Sequence, residues 1–154
     1  MNKKAVVCWT IGILAILCVL FIWGNSMASG EESGEMSGSV MDLVNGVLGK
    51  ISPSLQLSHH FVRKAAHFIE FAILGMLFAV NIRAFFPKRV YFVLFAIPCS
   101  FLVAVIDETI QLFSDGRACS FYDMLLDTCG ATVAVAITFT VFCIIEKIKK
   151  KENT

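Results

Sequence analysis

Arg63, His67 and Glu70 are spaced four and three residues apart, and at 100° per residue they fall within about 60° of one another on a helix. Asp107 and Gln111 are also four apart, with Glu108 beside the first. Ser120, Asp123 and Asp127 make a third polar stripe, and Arg117 precedes it in a turn marked by Ser114-Asp115-Gly116. Three kinds of chemistry follow from these residue types. Arg63, Lys64 and Arg117 are suited to phosphate or carboxylate, arginine through paired hydrogen bonds, with Glu70, Asp107 and Asp123 as supports that hold the guanidinium groups in place. His67 is a candidate general acid or base, oriented by Glu70 or Asp107, with Ser120 as candidate nucleophile. Ser120 lacks a GxSxG turn and no oxyanion hole is legible, so binding is favoured over catalysis. His67 and Glu70 also form an HxxE pair that Asp107, Glu108 and Asp123 would extend to a carboxylate-rich set. One histidine among acids is equally an ordinary hydrogen-bonded cluster, and the expectation is no metal and no cofactor.

The segments that carry these stripes are apolar. Of 154 residues, 57% are hydrophobic and 16% charged, against about 45 to 50% and about 25% in an ordinary soluble domain. Mean hydropathy is +0.77. The excess is too large for one soluble core, which sets aside a soluble enzyme, a disordered chain and a disulfide-built module. Residues 5 to 23 contain no charge, nor do 90 to 106 or 128 to 145, and 65 to 82 hold only His67 and Glu70 as ionisable groups. About 20 residues cross a bilayer, and only a helix satisfies its own backbone there. The expected fold is therefore all-α, a single polytopic membrane domain over residues 1 to 154. Its four spans lie at about 5–23, 65–86, 90–111 and 120–145.

Charge distribution orients the spans. Lys3, Lys4, Arg83, Lys88, Arg89, Lys147, Lys149, Lys150 and Lys151 lie on one side, opposed only by Glu146 and Glu152, nine bases against two acids or +7. The other side has Lys50, Arg63, Lys64 and Arg117 against ten acids, or −6. The positive-inside rule places both termini in the cytoplasm and both polar loops outside. The alternative for the N-terminus is a cleaved signal peptide ending at Ser26-Met27-Ala28. The outer loop, 24 to 60, divides in two. Residues Asn25 to Ser39 are rich in Ser, Gly and Glu and are expected to be flexible. Val40, Leu43, Val44, Val47, Leu48 and Ile51 follow a helical period, predicting a short amphipathic helix ended by Gly49 and Pro53. Six cysteines show neither CxxC pairing nor zinc spacing. No long basic stretch suggests nucleic acid, no inverted repeat suggests a transporter, and nothing sets an oligomeric state.

Three charged stripes at one depth would each cost about 2.5 to 3.5 kcal/mol per central charge if turned to lipid, so they are expected to face one another. The stretches RKAAHFIEFAILG, Arg63 to Gly75, and DETIQLFSDGRACSFYDMLLDTCG, Asp107 to Gly130, resemble the VanZ family of small bacterial membrane proteins. They cover 37 residues, and Ser26 to Ser39 is similar to that family's first outer loop. One departure is Asp127, where Asn is usual. The resemblance implies a multi-pass protein of the bacterial plasma membrane associated with resistance to lipoglycopeptides, teicoplanin above all, which is a phenotype and not a mechanism. The partners expected from the charged cluster are membrane lipids and a lipoglycopeptide or cell-wall precursor. The resemblance points to Arg63, His67, Glu70, Asp107, Glu108, Gln111, Arg117, Ser120 and Asp123. The alternative activity is a membrane-embedded hydrolase or transferase acting on a lipid headgroup or wall precursor.

Overall fold

The computed structural model describes residues 3–51, 56–86 and 88–152. Five helices account for nearly all of them: α1 (Lys3–Met27), α2 (Gly30–Ile51), α3 (His59–Phe85), α4 (Arg89–Gln111) and α5 (Phe121–Glu152). There is no strand among the described residues. Helices α1, α3, α4 and α5 are each long and apolar enough to cross a membrane, and the chain is a multi-pass membrane protein.

Burial runs in the sense expected of a protein solvated by lipid. Trp9, Ile16, Leu102 and Ile137 are exposed, whereas Asp107, Glu108 and Asp127 lie inside. Ile22, Phe71, Leu74, Val103 and Ala104 form one apolar core where α1, α3 and α4 meet. Ala79, Phe92, Ala96 and Val135 form another, nearer the basic end, between α3, α4 and α5. At that end Arg83 Nη2 donates to Glu146 Oε1 over 2.8 Å, tying α3 to α5.

Two glycines set how closely α3 and α5 approach. A Cβ on Gly75 would stand 2.6 Å from the carbonyl oxygen of Ala131, and one on Gly130 would strike the carbonyl oxygen of Phe68. Small residues at such crossings let backbones touch, which is how helices associate where no hydrophobic force acts between them. The approach brings His67, next to Phe68, toward the turn of α5 that carries Asp127.

Residues 30 to 39 correct the expectation of a flexible segment: α2 begins at Gly30 and continues to Ile51. The cause is a capping box. Ser29 Oγ accepts from the Glu32 N–H at 3.2 Å, and Glu32 Oε2 accepts from the Ser29 N–H at 3.0 Å. Glu31 and Glu32 in the first turn also favour the positive end of the helix. The short amphipathic helix is thus the second half of a longer one. Gly49 does not end it, and Pro53 lies outside the described residues. The N-terminus of α2 is anchored where Gly30 N donates to Asp115 O at 2.8 Å. Span three matches its expected bounds closely, span two starts earlier at His59 behind the Ser58 cap, and span four runs on to Glu152.

Candidate functional site

The polar ends of α3, α4 and α5 converge, joined by residues from the α1 to α2 corner and from the loop between α4 and α5. Helix α4 contributes Asp107, Glu108 and Gln111, all within its last turns and all buried. Gln111 Nε2 lies 3.1 Å from Asp107 Oδ2, 3.2 Å from Glu108 Oε1 and 3.4 Å from Ser26 Oγ, and so draws both acids and α1 together. The other oxygen of Glu108 accepts from the backbone N–H of Ser120 at 2.8 Å. Ser120 in turn caps α5, its Oγ accepting from Asp123 N at 3.3 Å.

Glu108 therefore holds the entry to α5. Replacing it with alanine leaves the Ser120 N–H without its partner in a half-buried setting and removes one of the three acceptors around Gln111 Nε2. The expected loss is about 1 to 3 kcal/mol, read as a lowered unfolding midpoint in detergent, with Glu108→Gln losing less. An alanine variant as stable as the parent would remove Glu108 from this role.

Helix α3 presents Arg63, Lys64, His67 and Glu70. Lys64 Nζ pairs with Asp123 Oδ1 at 2.5 Å, bridging α3 to α5. Glu70 Oε1 accepts from Asn25 Nδ2 at 3.1 Å. His67 Nδ1 stands 3.9 Å from Asp107 Oδ2, too far for a hydrogen bond. These pairings correct one expectation. Glu70, Asp107 and Asp123 are engaged by Asn25, Gln111 and Lys64, so they do not hold the guanidinium groups of Arg63 and Arg117 in ion pairs. Among the described residues neither arginine has an ion-pair partner, and Arg117 Nε is buried without a hydrogen-bond partner. Burial, and then the facing charge of Arg63, lower Arg117 from its usual pKa against the pull of Asp107 and Glu108.

Both arginines line a cavity of about 270 Å³ between α1, α2 and α3. Arg63, His67, Glu70 and Arg117 supply its polar side, and Phe21, Met36, Val40 and Val62 much of its apolar wall. A smaller space is bounded by Arg63, Lys64, His67, Glu108, Gln111, Asp123 and Asp127. The catalytic candidates stand apart in their bonding: Ser120 serves α5 and Glu108, Glu70 serves Asn25, and no hydrogen bond joins either to His67 among the described residues. All six cysteines are free thiols.

The sequence profile of the VanZ/LLP1 family matches residues 11–144. The chain belongs to that family. No curated protein and no solved structure matches it. Within this VanZ-type bundle, two site residues carry no obvious sequence signal. Asn25 and Ser26 lie in the segment read as flexible, yet Ser26 is fully buried beside Gln111, and Ser114 Oγ donates to the Ser26 carbonyl at 2.7 Å. The capping box at Ser29 is the one local clue, since a helix starting there turns the chain sharply at Ser26 and pins it against α4.

Proposed function

We propose that this VanZ-type protein binds an anionic, lipid-linked ligand at the outer leaflet of the bacterial plasma membrane and thereby contributes to teicoplanin resistance. Both termini are then cytoplasmic, in keeping with the nine bases on one side of the membrane and four on the other. The observation that carries the reading is the cavity holding two guanidinium groups without carboxylate partners opposite an apolar wall. An anionic headgroup placed between Arg63 and Arg117 would relieve their mutual repulsion and accept paired hydrogen bonds. The attached acyl chain would lie against Phe21, Met36 and Val40. Candidates of this chemistry are membrane phospholipids, a lipid-linked cell-wall precursor and the acylated lipoglycopeptide itself.

Expression in a sensitive host tests this directly, with membrane levels measured in parallel. The parent chain should raise the inhibitory concentration of teicoplanin, and Arg63→Ala should return it to the host's value. Full resistance in Arg63→Ala at equal protein level would refute the proposal. Comparison with vancomycin separates the ligands. Protection confined to the acylated drug favours interference at the membrane surface, and equal protection favours the wall precursor.

A further inference from the structure

His67, Asp107 and Asp127 come from three different helices, and one ligating atom of each lies within 4.8 Å of the other two. Asp107 is 0% and Asp127 1% exposed. Among the described residues, His67 Nδ1, Asp107 Oδ1 and both carboxylate oxygens of Asp127 have no hydrogen-bond partner. Carboxylates buried in this way keep their charge only where a cation or hydrogen bonds compensate them. The nearby cations do not reach them: Lys64 is bound to Asp123, and neither Arg63 nor Arg117 forms an ion pair.

We propose that His67, Asp107 and Asp127 bind a divalent metal ion, with Zn²⁺ the ion best suited to the donors. The expectation from sequence alone is no metal, and the HxxE pairing considered there names Glu70, which instead faces Asn25. The geometry replaces Glu70 with Asp127. One imidazole nitrogen and two carboxylates are zinc ligands, and three protein donors with a further position open is the pattern of reactive rather than structural zinc sites. The two carboxylate charges balance a dication, which compensates them in the buried setting. Zinc bonds of about 2.0 to 2.1 Å set tetrahedral donors about 3.4 Å apart, so the trio needs to close by at most about 1.4 Å. His67 and Asp107, at 3.9 Å, are already near that separation.

Gln111 Nε2 holds Asp107 Oδ2 at 3.1 Å and leaves Oδ1 unpartnered, a supporting contact of the kind that orients metal ligands. His67 and Asp127 both border the small space that Arg63 and Lys64 also line. The open position would accept water or an anionic oxygen from that side. This site stands on its own donors and does not depend on the identity of the ligand in the larger cavity.

The test uses the full chain in detergent micelles, stripped with EDTA and dialysed against Zn²⁺. Bound zinc and the unfolding midpoint are then measured. The expected result is one zinc per chain and a midpoint that rises with zinc concentration. Asp127→Asn, a near-isosteric change that removes a buried charge, and His67→Ala should each weaken zinc affinity by more than about tenfold. Asp42→Asn, on the exposed surface of α2, should leave it unchanged. Failure of Asp127→Asn to fold leaves His67→Ala to decide. Zinc uptake by the parent no greater than by the His67→Ala/Asp127→Asn double variant, or full affinity in a folded single variant, would overturn the assignment.

Discussion

Gly130→Val is expected to leave little correctly folded protein and to lower the unfolding midpoint of what remains. The new side chain would strike the Phe68 carbonyl oxygen, with the Phe68 carbonyl carbon at 3.2 Å and Cα at 3.3 Å behind it. These are backbone atoms of a packed helix and have no rotamer by which to yield. Overpacking costs about 1 to 3 kcal/mol and occasionally more, and a backbone collision belongs at the upper end. Removing a helical glycine returns at most about 1 kcal/mol of propensity even for alanine, so the collision wins. Gly75→Val should behave alike, because its Cβ would stand 2.7 Å from Ala131 Cα as well as against the carbonyl. Gly46→Ala, where a Cβ meets nothing within 4 Å, is the control and should be neutral or slightly stabilising. Denaturation in detergent micelles checks all three. A Gly130→Val midpoint equal to the parent's would mean that α3 and α5 do not touch as described.

Arg117→Glu is the change expected to disturb function most. The cluster holds three bases, Arg63, Lys64 and Arg117, against five acids, Glu70, Asp107, Glu108, Asp123 and Asp127. Reversing Arg117 removes one of the three bases and adds a sixth acid. An anion entering the larger cavity would meet one guanidinium and one new carboxylate in place of two guanidinium groups. Losing a charge-assisted hydrogen bond costs about 1.5 to 3 kcal/mol, which corresponds to about a 10- to 150-fold loss of affinity. Repulsion adds to it. Retention of phosphatidylglycerol by the detergent-purified chain should fall accordingly, and teicoplanin resistance should disappear. Arg117→Lys should fall between, since it keeps the charge but loses the planar fork. Unchanged lipid retention in a folded Arg117→Glu chain would separate Arg117 from anion binding. A lowered midpoint together with unchanged retention would assign it a purely structural part in the loop.

Much of the architecture is legible because lipid imposes so narrow a choice. Uncharged runs of this length must be helices, and the stripes at 63, 67 and 70 and at 107 and 111 follow from 3.6-residue geometry whatever the neighbours are. The capping box at Ser29 and Glu32 was equally readable, but the Ser, Gly and Glu composition of residues 25 to 39 pointed the other way. Local hydrogen bonds and packing against α3 outweighed that composition. The convergence of three stripes followed from the cost of charge in lipid. The partners within it did not, because that cost says only that polar groups leave the lipid and not which of them meet.

The amino-acid order alone, then, determined four membrane helices, the charge bias between their two ends, and the set of ionisable residues too costly to face hydrocarbon. The tertiary structure decided that Lys64 rather than an arginine bridges to Asp123, that Asn25 rather than Arg63 meets Glu70, and that Asp127 rather than Glu70 joins His67 and Asp107. The physical reason is rotation and closeness. Gly75 and Gly130 permit α3 and α5 to pack backbone to backbone, and the rotation of each helix at that contact selects which side chain of a stripe meets which neighbour.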